Sequence, residues 1–148
     1  MNIQKHTHTT AIRVRYADTD KMGIVYNGNY LTYFEIGRTE LLRSMGLAYA
    51  ELEQQGIQFP VIEAHIEFKA PAYYDEILNV SATCSLRRGI LLHISYEIMK
   101  DDTLLTIGYT VHPFINTITG KPIRPPRSFM DIWTAQTSAL HSTKELRL

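Results

Sequence analysis

Asp18 and Asp20 stand two residues apart in the stretch from Tyr16 to Tyr30, YADTDKMGIVYNGNY. The stretch leaves a predicted strand and opens a predicted helix. Unpaired N–H groups and a partial positive charge at a helix N-terminus can hold a carbonyl oxygen or a developing oxyanion. A carboxylate just ahead of that terminus can serve the same carbonyl as general base or nucleophile. The competing reading is local, because Asp favours turns for the hydrogen bonds its side chain makes to nearby backbone.

The elements that must position these groups follow from periodicity. Ala11 to Ala17 alternates, with Ile12, Val14 and Tyr16 on one face and Arg13 and Arg15 on the other, which predicts a half-buried strand. A helix is expected to start between Asn27 and Asn29, with Asn as N-cap, and to stop at Gly46. Its apolar residues occupy more than one stripe, so it should be covered on most sides. Gly37 in its middle costs about 1 kcal/mol relative to Ala, which close packing against a strand or ligand would explain. Glu35 and Arg38 are spaced to pair. A second short helix is expected from Ala48 to Gln55.

From Ile57 to Ile115 the chain reads as strand. Ile62, Ala64, Ile66 and Phe68 form one apolar face. Leu78, Val80, Ala82, Cys84 and Leu86 form the next, then Ile90, Leu92, Ile94, Tyr96 and Ile98, then Leu105, Ile107, Tyr109 and Val111. Short polar turns at Arg87-Arg88-Gly89 and Lys100 to Thr103 make the last three an antiparallel meander. A short helix is expected from Phe129 to Leu140. One covered helix ahead of long antiparallel strands predicts an α+β domain, a curved sheet wrapped on the helix. Sheet edges left open would invite a second subunit.

The chain has 148 residues, 15 Lys and Arg against 15 Asp and Glu, and one cysteine. The length suits a single domain, expected over residues 10–148, behind a flexible tail at 1–9. Balanced charge argues against a general nucleic-acid binder. A single cysteine excludes an internal disulfide and a multi-cysteine metal site, and it fits a reducing, cytoplasmic setting. No apolar run approaches the roughly 20 residues of a membrane span. His6 and His8 are expected to be solvated tail residues. His65, His93 and His112 are expected at the surface or an interface, and Cys84 in the core. No G-x-S-x-G or H-E-x-x-H motif occurs.

Residues 16–42 also resemble the opening of hotdog-fold acyl-CoA thioesterases, in particular the 4-hydroxybenzoyl-CoA thioesterase and YbgC-type branch. That branch reads approximately Y-x-D-T-D-x-x-G-x-V-Y-x-x-x-Y, followed by a helix ending in R-T-E. Tyr16, Asp18, Thr19, Asp20, Gly23, Val25, Tyr26, Tyr30, Arg38, Thr39 and Glu40 match it. Ile66 to Pro71 and Thr119 to Pro122 sit where the family has similar segments, so the resemblance spans roughly residues 10–127. It implies a helix wrapped by an antiparallel sheet, assembled as a homodimer or homotetramer, and hydrolysis of acyl-CoA without metal or other cofactor. By the resemblance Asp20 is the catalytic carboxylate, the backbone N–H at Asn27 is the oxyanion donor, and Tyr16 belongs to the site. Gly28 and Tyr30, at the same helix start, are candidate substrate contacts. Arg87 and Arg88 are candidate partners for the CoA phosphates. YbgC-type members commonly carry His where this chain has Asn27, and an amide cannot exchange a proton at neutral pH. The alternatives are a hotdog protein that binds acyl-CoA without cleaving it and a thioesterase acting on acyl carrier protein.

Overall fold

The computed structural model describes residues 4–47 and 49–135. Strand β1 (His6–Arg13) leads through a 3-10 turn (Tyr16–Asp18) and a tight loop into helix α1 (Asn29–Ser44). Helix α2 (Tyr49–Gln54), β2 (Ile57–Gln58), β3 (Glu63–Phe68), β4 (Ile77–Arg87), β5 (Leu91–Lys100), β6 (Thr103–Asn116) and β7 (Pro122–Ile123) follow. Residues 127–135 are helical. The part of the expected terminal helix beyond 135, and Ala48 at the start of the second, lie outside the described residues. The main path of the antiparallel sheet is β1-β4-β5-β6-β2, with β3 and β7 also paired to β6. This is the α+β architecture expected, with α1 packed across β1, β4 and β5.

The alternation read for β4 and β5 holds. Leu78, Val80, Ala82 and Cys84 are fully buried, as are Leu92, Ile94 and Ile98, with Tyr96 at 1% exposure. Helix and sheet approach closely at Gly37, where a Cβ would stand 2.8 Å from Val80 Cγ1. That contact is the reason for glycine inside α1. Phe34 stacks on Tyr96 with centroids 4.1 Å apart. Gly108 leaves room for the Phe34 ring, which a Cβ there would meet at 2.8 Å.

Expectations change in β1, in the turn after it, in α1 and in β6. The first strand begins at His6, so it takes in residues 6–9 of the expected tail. Its register runs from His6 opposite Cys84 to Arg13 opposite Ile77. Thr7 and Thr9 bond across to Thr83 and Ser81 at 2.8 Å each. His6 is buried and meets the Trp133 ring edge-on at 4.4 Å. Tyr16, expected to face inward, falls on the 3-10 turn and is 79% exposed. In α1 the ion pair found among the described residues joins Arg43 with Glu40, in place of the expected Glu35 with Arg38.

The largest change is the face of β6. Leu105 and Val111 are buried as expected, but Thr106, Thr110, His112 and Phe114 are buried too, whereas Ile107 and Tyr109 are half-exposed. His112 is therefore a core residue, not a surface one. One ring nitrogen is 2.9 Å from the Phe59 carbonyl and the other 2.8 Å from Thr110 Oγ1. Thr110 in turn pairs with the Tyr96 hydroxyl at 2.7 Å. These bonds make burial of Thr110 and His112 compatible with the core.

Burial lowers the His112 pKa to about 4, and the positive Arg38 nearby acts in the same direction. The sign follows: below the usual value near 6.5 the unfolded chain binds a proton that the folded chain refuses. Stability therefore falls as pH drops from about 6.5 toward 4, by about 3 kcal/mol from this residue. Burial of His6 acts in the same direction. Urea unfolding at a series of pH values should show this slope, and His112→Asn should flatten it. An unchanged slope in that variant would assign the pH dependence elsewhere.

Candidate active site

The chain from Val14 to Asn29 is pinned at both ends. Val14 N–H donates to the Glu76 carbonyl, and Asp75 N–H donates to the Val14 carbonyl. Isolated bridges join Thr19 with Val25 and Ile24 with Tyr73. Gly23 at φ +79° closes the turn between them, a conformation that suits glycine.

The two carboxylates have different surroundings. Asp18 is 4% exposed. Its Oδ1 accepts from Arg15 Nη2 at 2.9 Å, and its Oδ2 accepts the Arg15 amide and the Tyr33 hydroxyl at 3.0 Å each. Burial alone would raise its pKa, but the bonds from Arg15 and Tyr33 outweigh it and hold the carboxyl below the usual range. The Asp18 carbonyl accepts the Tyr26 N–H and the Asn29 side-chain amide, which ties the helix start to the turn. Asp18 is thus the structural carboxylate.

Asp20 keeps an open side. Among the described residues its Oδ1 accepts only the local Met22 N–H, at 2.8 Å. It lines a cleft of about 510 Å³ with Tyr16, Thr19, Lys21, Gly23 and Tyr74. Tyr16 and Tyr74 meet edge-to-face with centroids 5.8 Å apart. Tyr74 precedes Asp75, which adopts φ +68°. The Asp75 carbonyl and Oδ1 both accept from Arg13 Nη1, at 2.9 and 3.2 Å.

Helix α1 begins one residue past Gly28, which occupies the N-cap position without a side-chain cap bond. Asn27, expected as a possible cap, is not one. Asn29 N–H returns to the Tyr26 carbonyl and Tyr30 N–H to that of Asn27. No acceptor among the described residues takes the N–H of Asn27 or Gly28. Asn27 lines a second cleft, about 230 Å³, with Ile24, Val25, Tyr30, Phe68 and Pro71 among its walls. The loop 19–27 therefore presents a carboxylate on one side and free backbone donors with an apolar pocket on the other. That pairing suits attack on a carbonyl whose oxygen becomes negative. Among the described residues no three His, Cys, Asp or Glu side chains converge as metal ligands.

Residues 14–132 match the family model of the thioesterase-like superfamily. The chain belongs to that superfamily. Among relatives of this thioesterase-like chain, YneP of Bacillus subtilis (strain 168), named provisionally as an acyl-CoA thioesterase, is 36% identical over 135 residues, 90% of this chain and 98% of YneP. The acyl-CoA thioester hydrolase YbgC of Escherichia coli O6:H1 is 30% identical over 120 residues, covering 80% of this chain and 90% of its own. The crystal structure of a DHNA-CoA thioesterase from Staphylococcus aureus superimposes with TM-score 0.81 at 34% identity, over 96% of this chain and 95% of that one. A 4-hydroxybenzoyl-CoA thioesterase from Pseudomonas sp. strain CBS-3, at 18% identity and TM-score 0.76, shares the hotdog fold; 86% of this chain and 99% of that one are covered. The fold and family expected from residues 16–42 are thereby borne out.

Within this thioesterase-like chain Tyr16 and Asp20 line one cleft, while Asn27 and Tyr30 line the other; Gly28, next to Asn27 in sequence, lines neither. Arg87 and Arg88 lie elsewhere. The Asp20 loop is pinned to residues just before β4, whereas Arg87 ends that 11-residue strand, roughly 30 Å away along it. There they line a separate cleft of about 490 Å³ with Lys5 and His93. Arg87 lies over the Tyr109 ring at 5.7 Å. Phe68 and Tyr74, which line these clefts, were not among the expected site residues. Phe68 alternates like a core residue, and Tyr74 sits in a turn, so neither carries a local chemical signal.

Proposed function

We propose that the protein hydrolyses acyl-CoA thioesters to the free acid and CoA, with Asp20 in the chemical step. The observation that carries this reading is the open side of the Asp20 carboxylate, on a short loop whose other end carries backbone N–H groups, at Asn27 and Gly28, without an acceptor among the described residues. The thioester oxygen sits on those N–H groups. Asp20 takes a proton from water as the water oxygen attacks the carbonyl carbon, and the tetrahedral oxyanion is held at the helix start. The C–S bond then breaks, the acid departs, and the proton passes to the CoA sulfur. Direct attack by Asp20, through an anhydride that water opens, reaches the same products. Tyr16 shares the Asp20 cleft and orients water or the leaving sulfur. The test is release of free thiol from a panel of acyl-CoAs. Tight binding without turnover across the panel would make the protein a carrier instead.

Asn27→Ala should cost little, because the donor is main chain and Asn27 makes no cap bond. The expected loss in kcat/KM is within about threefold, against the roughly 10²–10³-fold that losing an oxyanion donor costs. Asn27→His introduces a group that titrates near neutrality and should change the pH profile of kcat/KM. A collapse of activity in Asn27→Ala, with the fold intact, would give the side-chain amide the role assigned here to the backbone.

The working enzyme is a homodimer or a larger even assembly. β3 pairs with β6, and its burial pattern is exposed except for a half-buried Ile66. Val61, Ile62 and Phe68 on or beside it are 43%, 61% and 50% exposed. An open strand edge flanked by exposed apolar side chains is normally covered. Arg87 and Arg88, remote from Asp20 in their own chain, would then reach CoA phosphates bound to a neighbouring subunit. Sedimentation at micromolar concentration should give at least a dimer; a compact monomer would end this part of the proposal.

A further inference from the structure

We infer that Phe68 sets the size of the acyl group, confining the enzyme to compact acyl chains; this rests on the thioesterase reading above. The two clefts flanking residues 19–27 differ in chemistry. The Asp20 cleft carries a carboxylate, an amine and two phenols. The Asn27 cleft is walled mainly by Ile24, Val25, Tyr30, Phe68 and Pro71, with Lys69 as its one charged lining residue. A thioester oxygen at the Asn27 N–H places the adjoining acyl group in the apolar cleft and leaves the polar one to water and the sulfur side.

The apolar cleft is small. Its volume is about 230 Å³, a size that suits a compact acyl group such as benzoyl or hexanoyl. It falls below the roughly 300 Å³ at which pockets for larger ligands begin.

Two aromatic rings bound it, and they are held differently. Tyr30 is 2% exposed and packs edge-on against Tyr33, which is itself tied to Asp18. Phe68 is 50% exposed and leans edge-on against Tyr30, centroids 5.3 Å apart. The Phe68 backbone is fixed by its register opposite Thr106, and the next two amides both donate to the Leu105 carbonyl. Tyr30 is thus a fixed floor. Phe68 is a wall whose reach is set by its own side chain.

The test compares wild type, Phe68→Ala and Phe68→Trp on straight-chain acyl-CoAs from acetyl to dodecanoyl, and on benzoyl-CoA. In wild type kcat/KM should rise about fourfold for each methylene that is buried, up to about six carbons. It should then fall at least tenfold by dodecanoyl. Phe68→Ala should move the fall to chains about three carbons longer, and Phe68→Trp to shorter ones. Kd values of thioether analogues of the same lengths, which cannot be hydrolysed, read the pocket without turnover. A chain-length profile that stays put in both variants, in rates and in Kd, overturns the inference. No turnover together with a Kd profile that moves with residue 68 supports the pocket and overturns hydrolysis.

Discussion

Asp20→Asn should lower kcat by about 10²-fold or more, the usual scale for losing a general base, and leave the fold intact. The structural half of this expectation rests on one bond. Asp20 Oδ1 accepts the Met22 N–H, and an Asn amide oxygen accepts it equally well. Nothing else among the described residues depends on the charge of Asp20. The measurement is kcat on the best acyl-CoA of the panel, beside a urea unfolding curve.

Asp18→Asn should do the opposite. Its two oxygens accept four donor contacts within 3.3 Å, from the Arg15 amide, the Arg15 guanidinium and the Tyr33 hydroxyl. An amide replaces one acceptor by a donor and aims it at donors, in a site with 4% exposure. The expected destabilisation is about 3 kcal/mol. It stays near the lower end for a buried ion pair because the Arg15 side chain is 72% exposed and can rehydrate. Turnover per folded molecule should change far less than in Asp20→Asn. Normal stability with lost turnover in Asp18→Asn, together with active Asp20→Asn, would exchange the two roles.

That division was only partly legible in the sequence. Two aspartates in one turn have the same propensity, and periodicity says nothing about which one meets Arg15 and Tyr33. The family resemblance singled out Asp20, and the burial of Asp18 supplies a physical reason. The strands were legible where one face is wholly apolar, as in β4 and β5. They were only half right in β6, where Leu105 and Val111 are buried as expected but Thr110 and His112 are buried as well, because each finds a hydrogen-bond partner there. Hydropathy cannot see such partners. In β3 the alternation of Ile62, Ala64, Ile66 and Phe68 was real, but most of that face is exposed in the single chain, because burial on an outer strand depends on what covers it. Arg87 and Arg88 were read as substrate contacts from their chemistry. Their distance from Asp20 is a property of strand length and order, which residue type does not encode.

The single thiol of the chain is at Cys84, fully buried between sheet and helix, and burial pushes its pKa up to about 12. A thiolate is the species that attacks disulfide reagents. Native protein therefore stays silent to the reagent that detects released CoA, and the assay has no background from the enzyme itself. The same silence breaks when the core opens. The rate at which Cys84 is labelled then clocks the opening of the β4 core, in wild type and in every variant above, without adding a probe to the chain.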